Sequence, residues 1–418
     1  MKILILGSGG REHAIITKLA KSRHKPQLFC APGNGGIANL ATCVPIKATD
    51  VTAIRDCAVE NAINFVVVTP DDPLALGAVD IIQAAGIPCF GPNQAAAKLE
   101  WSKGYAKDLM KKHGIPTAAY EVFSDMATAL QYVRSADLPL VVKADGLAAG
   151  KGVVMAYTRT EAEDAVRSAM EGGAFGDSGS SVVIEEFLTG PEVSLLTFCD
   201  GNTIVPMLSS TDHKRIGEED TGLNTGGMGV IAPSPYYNAE VEQLTMERIV
   251  RPTLAAMKTE GIDFRGCLYI GLMLTPRGPM VIEYNARFGD PETQAILPLL
   301  ESDLLDIFMA VQQGRLAEVD VKFAKGHSCT VIMSSAGYPE KYPTGFEISI
   351  PEDVNANVIH AGTALRDGKY YTNGGRVLAV TAVGDTLEQA IHSSYDAVGK
   401  ISFEGAYYRR DIGKTMQN

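Results

Sequence analysis

Glutamate, asparagine and arginine alternate along one short stretch late in the chain. Glu283, Asn285 and Arg287 directly follow the apolar residues 280–282. In an extended strand, residues two positions apart point to the same face. A carboxylate and an amide oxygen on one face are hard ligands suited to Mg²⁺, and an arginine beside them can stabilise a phosphoryl group in transfer. The spacing therefore indicates a metal and phosphate site; the alternative is an ordinary strand end with salt bridges.

A glycine-rich segment with a lysine lies nearer the middle of the chain. Residues 145–152 read D-G-L-A-A-G-K-G, so that Gly150 and Gly152 flank Lys151. The spacing is one residue short of a P-loop, and Gly152 stands where a P-loop has Ser or Thr. Because the segment lies between two predicted strands, we expect a hairpin flap over phosphate oxygens, which Lys143 on the first strand would also reach. The alternative is a plain hairpin bend with a solvated lysine.

The first glycine-rich loop joins the first predicted strand to the first predicted helix. It contains Gly9, Gly10 and Arg11. The third glycine of a dinucleotide fingerprint would fall on Glu12, so the loop does not match that motif. Backbone N–H groups at a helix N-terminus bind phosphate, and the adjacent arginine favours a phosphate monoester. The alternative is a tight turn without a ligand.

Two further segments have the composition of binding loops. Residues 212–229 begin with the charged Asp212 and Lys214 and end in glycines, which is typical of a mobile binding loop; a solvated loop is the alternative. Residues 182–188 read V-V-I-E-E-F-L, a predicted strand that runs into a short hinge. Backbone groups of the hinge could pair with an adenine edge and Glu192 with ribose hydroxyls, and a plain strand end is the alternative.

Composition excludes several classes of protein. The 418 residues are 46% hydrophobic and 21% charged, as in globular proteins, and the formal net charge of -12 argues against a nucleic-acid partner. No apolar run is long enough to cross a bilayer, and the N-terminus lacks the pattern of a signal peptide. Seven scattered cysteines without a C-x-x-C pair predict reduced thiols, so we expect a cytoplasmic protein.

The order of predicted strands and helices divides the chain into four parts. Strands alternate with helices over residues 1–100, including a strand at 65–68 followed by a turn at 69–73, which predicts a parallel α/β domain. Helices are also predicted at 98–113 and near 387–398. Residues 101–191 and 192–327 have the strand spacing of antiparallel α+β lobes, and residues 328–418 form a small α/β addition. The expected fold class is therefore a multidomain α/β and α+β protein.

The motifs taken together resemble the ATP-grasp superfamily, which combines a lysine, a glycine-rich flap, an E-E-F-L hinge and an E-x-N-x-R strand. GGREHA at 9–14, KADGLAAGKGV at 143–153, NTGGMG at 224–229 and NARFGDPE at 285–292 are similar to the phosphoribosylamine–glycine ligase family. The resemblance covers nearly the whole chain and implies an ATP-grasp core of two lobes. It also implies ATP and Mg²⁺ or Mn²⁺ as cofactors and glycine and 5-phosphoribosylamine as substrates.

The resemblance implies a role for each residue that matches a family motif. ATP phosphates would contact Lys103, Lys143, Gly150, Lys151 and Gly152, and adenosine would contact Glu185, Glu186, Leu188 and Glu192. The metal would bind Glu283 and Asn285, the ribose phosphate Gly9, Gly10 and Arg11, and the glycine and transfer site would contain Asp212, Lys214, Arg287, Asp290 and Glu292.

Two departures from the family pattern and several rival functions accompany this interpretation. Residues 271–274 contain no second metal-binding carboxylate, and residues 69–73 read T-P-D-D-P where a glycine and a single acid are usual. The rivals are another ATP-grasp carboxylate–amine ligase, a phosphotransferase that keeps the phosphoryl group on its product, and a nucleotide sensor. We expect a monomer, with a weak dimer as the alternative.

Overall fold

The computed structural model describes residues 1–147, 152–170 and 181–414. Two of the predicted flap residues, Gly150 and Lys151, lie outside the described residues. Gly152 lies within them, and its carbonyl accepts a hydrogen bond of 2.9 Å from the backbone N–H of Ala144 at the base of the hairpin.

The first hundred residues, all described, form a five-stranded parallel sheet with the order β3-β2-β1-β4-β5. Residues 3–6 of the central strand are fully buried, as expected when helices cover both faces of a parallel sheet. This confirms the predicted parallel α/β unit. The strands are β1 Lys2–Gly7, β2 Gln27–Pro32, β3 Thr42–Cys43, β4 Phe65–Val68 and β5 Cys89–Phe90; the helices are α1 Gly10–Leu19, α2 Val51–Glu60, α3 Asp71–Ala75, α4 Ala78–Ala84 and α5 Gln94–Trp101.

A four-stranded antiparallel sheet with the order β6-β9-β7-β8 follows in the described part of residues 120–186. Its strands β7 and β8 form the hairpin that carries the predicted flap, with Lys143 paired with Val153. The strands are β6 Tyr120–Phe123, β7 Leu140–Ala144, β8 Val153–Ala156 and β9 Val182–Glu186; the helices are α6 Lys103–Lys112, α7 Met126–Ser135 and α8 Arg159–Met170.

The remaining described residues contribute most of their strands to one nine-stranded sheet, which continues without a break across the predicted boundary at 327. Strands β14 and β17 pair across that boundary, so the last part of the chain extends the sheet that carries Glu283. The strands up to residue 285 are β10 Glu192–Asp200, β11 Ile204–Asp212, β12 Arg215–Gly217, β13 Thr221–Asn224, β14 Gly229–Ala232, β15 Arg265–Thr275 and β16 Gly278–Asn285. The later strands are β17 His327–Ser335, β18 Glu347–Ile348, β19 Asn357–His360, β20 Thr363–Arg366, β21 Lys369–Thr372, β22 Arg376–Gly384 and β23 Ala406–Tyr407.

Five helices and one π-helical turn accompany this large sheet in the described residues. Helices α9 Ala239–Thr245 and α10 Arg251–Thr259 are joined by the π-helical turn Met246–Val250, and α11 Glu292–Ile296, α12 Leu304–Gln313 and α13 Leu387–Val398 follow. No helix in the described ranges is long and apolar enough to cross a membrane.

Two local expectations were wrong. The helix predicted at 98–113 is two helices, because Ser102 has an extended backbone and its hydroxyl accepts a hydrogen bond from Tyr105 N at the start of α6. The turn predicted at 69–73 begins helix α3 instead, because a proline precedes two acidic residues whose charge suits a helix N-terminus.

Candidate active site

Two adjoining chambers lie between the four-stranded sheet and the end of β16. The hinge chamber, of about 670 Å³, is lined by Phe187, Leu188, Glu192 and Lys214 among others. The junction chamber, of about 320 Å³, is lined by Arg11 and Lys103 and reaches the N-terminal domain. The two chambers share the following residues: Lys143, Val153, Glu185, Gly226, Ile282, Glu283, Asn285, Arg287 and Asp290.

The predicted metal ligands lie at the boundary of the two chambers. Glu283 pairs with Gly271 on the neighbouring strand, and the register shifts by one residue at Ile282, which makes a β-bulge. A Cβ atom on Gly271 would lie 3.2 Å from Glu283 Cγ, so the stretch without a carboxylate is also the one that leaves space for the Glu283 side chain. Arg287 Nη2 donates to Asn285 Oδ1 over 3.2 Å, so this arginine lies beside the predicted ligands.

Cations surround Glu283. Burial by itself would raise the pKa of this carboxyl, but Lys214, Lys143 and Lys103 lower it below its ordinary value. Lys103 Nζ donates to the carbonyls of Ala144 and Gly146 over 3.0 and 2.6 Å, so its ammonium group is fixed at the end of β7. Lys103 and Lys143, two of the three lysines predicted for phosphate, therefore lie near the predicted metal ligand Glu283.

Lys143 belongs to a buried group that also contains Glu185 and Lys107, here called the lysine–glutamate cluster. Glu185 Oε1 lies 2.9 Å from Lys143 Nζ, and Glu185 Oε2 lies 2.8 Å from Lys107 Nζ. The Lys107 side chain is 2% exposed, and burial lowers its pKa to about 8 although Glu185 opposes the shift. Sequence reasoning missed Lys107, because a lysine within a helix has no distinguishing local pattern.

Both glutamates predicted to contact adenosine have cations beside them. The Glu185 carboxylate lies within 2.9 Å of Lys143 and Lys107. The Glu186 carboxylate accepts from Ala119 N over 3.1 Å and from Arg277 Nη2 over 2.7 Å. Both glutamates line the hinge chamber together with Phe187 and Leu188.

Glu192 and Lys214 form an ion pair in the hinge chamber. Lys214 Nζ lies 2.6 Å from Glu192 Oε2, and both side chains are partly exposed. Burial alone would lower the pKa of Lys214, but the carboxylates of Glu192 and Glu283 raise it above its ordinary value. This ion pair connects the predicted ribose contact with the predicted glycine site.

Asp212 and Glu292, here called the acid pair, are two carboxylates without an ion-pair distance to a cation in the described part of the chain. Glu292 Oε1 accepts from the Ser194 hydroxyl over 3.2 Å. Among the described residues, no group donates a hydrogen bond to the buried Asp212 Oδ1. Burial and the neighbouring Glu292 raise the pKa of Asp212 well above its ordinary value.

Several hydrogen-bond donors of the first glycine-rich loop are already bonded to other groups of the protein. Gly9 N donates to Glu12 Oε2 over 2.6 Å, and Arg11 N donates to Asp290 Oδ2 over 3.2 Å. Arg11 Nη1 donates to the Phe288 carbonyl over 2.9 Å. The cradle of backbone N–H groups expected at Gly9 and Gly10 is thus partly occupied by carboxylates, and the Arg11 side chain is what the loop presents to the junction chamber.

Three further charged residues in the junction chamber escaped the sequence analysis. Glu100 Oε1 lies 3.0 Å from Arg287 Nε, and Glu100 Oε2 accepts from Ala286 N over 2.8 Å. Asp71 lies in the divergent T-P-D-D-P segment; burial opposes its ionisation, but Arg287 and Arg11 lower its pKa. Arg376 comes from strand β22 of the last part of the chain. Only the segment of Asp71 carried a signal, namely its departure from the family pattern.

Comparisons with known proteins agree with this geometry. Three family models match, described as the N domain, the ATP-grasp (A) domain and the C domain of phosphoribosylglycinamide synthetase, over residues 1–100, 101–293 and 328–415. The chain belongs to the phosphoribosylglycinamide synthetase family. The predicted family and fold class are therefore confirmed, and membership implies ATP and a divalent metal.

Individual relatives of this synthetase family match over the full length. A phosphoribosylamine–glycine ligase of Chlorobaculum tepidum is 48% identical, over 99% of this chain and 99% of the relative. The crystal structure of the phosphoribosylamine–glycine ligase of Thermotoga maritima has a TM-score of 0.88 at 34% identity, covering 99% of this chain and 100% of that one. The biotin carboxylase domain of Hydrogenobacter thermophilus 2-oxoglutarate carboxylase, at 16% identity, 97% and 91% coverage and a TM-score of 0.76, shares the fold.

Proposed function

We propose that this chain ligates glycine to 5-phosphoribosylamine with ATP, forming glycinamide ribonucleotide, ADP and phosphate in de novo purine synthesis. The observation that supports this most directly is the end of β16, where Glu283 and Asn285, with Arg287 just beyond the strand, face Lys143 and Lys103 across the cavity. The chain carries this arrangement at 48% identity to a named ligase of the same length. An enzyme of this kind needs positioning and charge stabilisation and no protein nucleophile.

The end of β16 suits a divalent metal. Glu283 supplies an ionised carboxylate and Asn285 an amide oxygen, both hard donors that suit Mg²⁺ or Mn²⁺. Such an ion would neutralise phosphate charge and align the triphosphate. A single protein carboxylate at this place fits an ion that ATP oxygens also coordinate.

ATP would extend from the hinge to the end of β16. Lys143 and Lys103 would bind its phosphates from beneath the flap, and the flap residues Gly150, Lys151 and Gly152 would cover them. The backbone of Glu186 to Leu188 would pair with adenine, and Glu192 with the ribose. The lysine–glutamate cluster supports this assignment because Glu185 fixes the Lys143 ammonium group before ATP arrives.

Glycine would bind between the acid pair and Arg287. Its ammonium group supplies the positive charge that Asp212 and Glu292 lack, since Asp212 Oδ1 is buried without a donor among the described residues. Its carboxylate would then point towards Lys214 and Arg287. An ammonium ligand would supply the counter-charge that a carboxylate already buried in the protein lacks.

The proposed chemistry has two balanced steps. A glycine carboxylate oxygen attacks the γ-phosphorus of ATP, the bond to the β–γ bridging oxygen breaks, and ADP leaves. The amine of 5-phosphoribosylamine then attacks the carbonyl carbon of glycyl phosphate, phosphate leaves, and the nitrogen loses a proton. Arg287 stabilises the oxygens that gain charge in both steps. Arg11, at the far side of the junction chamber, would hold the ribose phosphate, and Asp290 fixes the Arg11 backbone.

Measurement of ADP release with each substrate omitted in turn tests this function. Turnover should require both glycine and freshly generated 5-phosphoribosylamine, and phosphate should appear with ADP in equal amounts. Activity with another acid but not glycine would indicate a different ATP-grasp carboxylate–amine ligase. A stable phosphorylated product would indicate a phosphotransferase, and binding of ATP without turnover a sensor.

Three broader assignments belong to the same proposal. We retain four domains, with residues 1–100 for substrate, 101–191 for the nucleotide flap, 192–327 for the metal and glycine, and 328–418 as the last. The seven cysteines are free thiols, which fits a cytoplasmic enzyme. A monomer is the expected state, and light scattering on the pure protein would test it.

A further inference from the structure

Arg376 belongs to the last part of the chain but lines the junction chamber. It is the first residue of β22, which pairs with β17 in the large sheet. Its side chain is 20% exposed and lies 3.1 Å from Asp290 Oδ1. None of the motifs in the sequence includes it.

The guanidinium group binds two separate loops. Arg376 Nη1 donates to the carbonyls of Gly226, of Gly227 over 3.4 Å and of Asp290 over 2.9 Å. A Cβ atom on Gly226 would lie 2.9 Å from Arg376 Cζ, so the glycine permits the guanidinium to approach its backbone. A planar guanidinium can make several fixed bonds at once, which a lysine cannot.

One of these loops leads to the acid pair. Gly227 has φ +109, and a Cβ atom there would lie 2.6 Å from Asp212 Oδ1. The backbone that Arg376 holds is therefore packed directly on the carboxylate proposed to bind glycine.

The other loop leads to the phosphoribosylamine side. Asp290 Oδ1 accepts from Gln294 Nε2 over 2.9 Å and also lies near Arg376. Asp290 Oδ2 accepts from Arg11 N. Both oxygens of Asp290 are thus used, and their bonds fix the loop that carries Arg11.

We propose that Arg376 is a positioning residue that aligns the glycine subsite with the phosphoribosylamine subsite for acyl transfer. The inference rests on the proposed function. A guanidinium bound to both loops sets the distance between the acyl phosphate and the attacking amine. Small errors in that distance cost transfer far more than they cost binding of ATP.

Variants of Arg376 test this role in the full-length protein. Arg376→Gln should lower kcat/KM for 5-phosphoribosylamine about 100-fold and leave the KM for ATP within about twofold, because the lysines that face ATP do not contact Arg376. It should also release more than one ADP per glycinamide ribonucleotide, since glycyl phosphate that is not captured hydrolyses. Arg376→Lys should recover part of the loss, because it restores the charge beside Asp290.

Arg366→Gln is the matched control, because Arg366 is an exposed arginine of the same part of the chain. It should behave as the wild type in all these measurements. Equal losses of kcat/KM for all three substrates, together with a lower Tm, would show that Arg376 acts only on folding and would overturn the proposal. So would an Arg376→Gln enzyme that matches the wild type. If the wild type itself forms no glycinamide ribonucleotide, the proposed function fails, and this inference fails with it.

Discussion

The lysine–glutamate cluster and the acid pair are both buried charge groups in one cavity, but they are balanced in opposite ways. In the cluster, Glu185 lies within 2.9 Å of two lysines. In the acid pair, Asp212 and Glu292 repel each other, and Asp212 Oδ1 has no donor among the described residues. The cluster has its counter-charges within ion-pair distance, although Glu185 Oε1 also lacks a hydrogen-bond donor among the described residues. The acid pair has no such counter-charge there. This difference is why we propose that the cluster positions side chains and that the acid pair binds substrate.

Glu283 lies between these two groups, and its replacement should have the largest effect. Glu283→Gln should lower kcat about a thousandfold, equivalent to roughly 4 kcal/mol of activation free energy. The reason is that the variant lacks a ligand of the metal ion that would neutralise the phosphate charge. Some stability should be lost too: the folded-state pKa is lowered, so the ionised group stabilises the fold at neutral pH. The activation free energy should nevertheless change more than the free energy of unfolding.

Steady-state kinetics and urea denaturation on the same preparation measure both quantities. Glu242→Gln, at an exposed helix position, serves as the control. A Glu283→Gln protein that is unfolded at neutral pH would mean that this carboxylate is structural.

Glu185→Gln would remove the negative charge from the lysine–glutamate cluster. It removes the carboxylate that lies within ion-pair distance of both Lys107 and Lys143, so the free energy of unfolding should fall by about 3 kcal/mol at pH 7. ATP should bind more weakly because Lys143 loses its fixed position. Urea denaturation gives the stability, with the exposed Glu121→Gln on the adjacent strand as a control. A free energy of unfolding equal to that of the wild type would contradict the conclusion that Glu185 balances the charge of the buried lysines.

Asp212→Asn would instead remove one of the two negative charges of the acid pair. We expect kcat/KM for glycine to fall about 100-fold, or roughly 2.7 kcal/mol, because the ammonium group loses a charged partner. The folded-state pKa of Asp212 is raised, so the fold loses stability as the pH rises from the ordinary pKa of aspartate to that raised value. The variant should therefore equal or exceed the wild type in Tm at pH 8, which calorimetry can measure. A lower Tm would show that Asp212 has an unseen stabilising partner.

The pH dependence of wild-type kcat/KM for glycine tests the same role of Asp212. Glycine requires the ionised form of Asp212, so kcat/KM for glycine should fall on acidification at pH values above the ordinary pKa of aspartate. In Asp212→Asn this acidic limb should be absent. A limb that persists unchanged in the variant would assign it to another group.

The smallest effect is expected at an exposed ion pair beside the hinge. Arg277 Nη2 lies 2.7 Å from Glu186 Oε1, but the Arg277 side chain is 59% exposed. Arg277→Ala should change the free energy of unfolding by less than about 0.5 kcal/mol and the KM for ATP by less than about twofold. A large change in either value would show that the contribution of an ion pair to stability or ATP binding depends on its short distance rather than on its burial.

Local sequence patterns predicted several elements of the fold. The alternation of Glu283 and Asn285 requires only that a strand has period 2, and β16 contains both residues, whereas Arg287 lies beyond the end of the strand. Strand β4 and helix α13 have the predicted bounds, since apolar runs and an N-cap threonine act within a few residues. The break at Ser102 was missed because two helices in sequence continue one hydrophobic pattern.

Patterns along the chain did not predict partners distant in sequence. Lys107 meets Glu185 across 78 residues, and Arg376 meets Gly226 across 150. Nor did the sequence show that Gly9 N and Arg11 N would donate to carboxylates rather than remain available to a phosphate.

The amino-acid sequence by itself determined the family and the fold class and predicted which strand would hold a metal, because these depend on residue types at short spacing. Tertiary structure alone decided which charges are balanced. Whether a buried carboxylate finds a cation depends on which strands are neighbours in the sheets, and the energy of such a group is set by its desolvation and its nearest charges in space. For that reason Glu185 lies within ion-pair distance of two lysines, whereas Asp212 Oδ1 has no hydrogen-bond donor among the described residues.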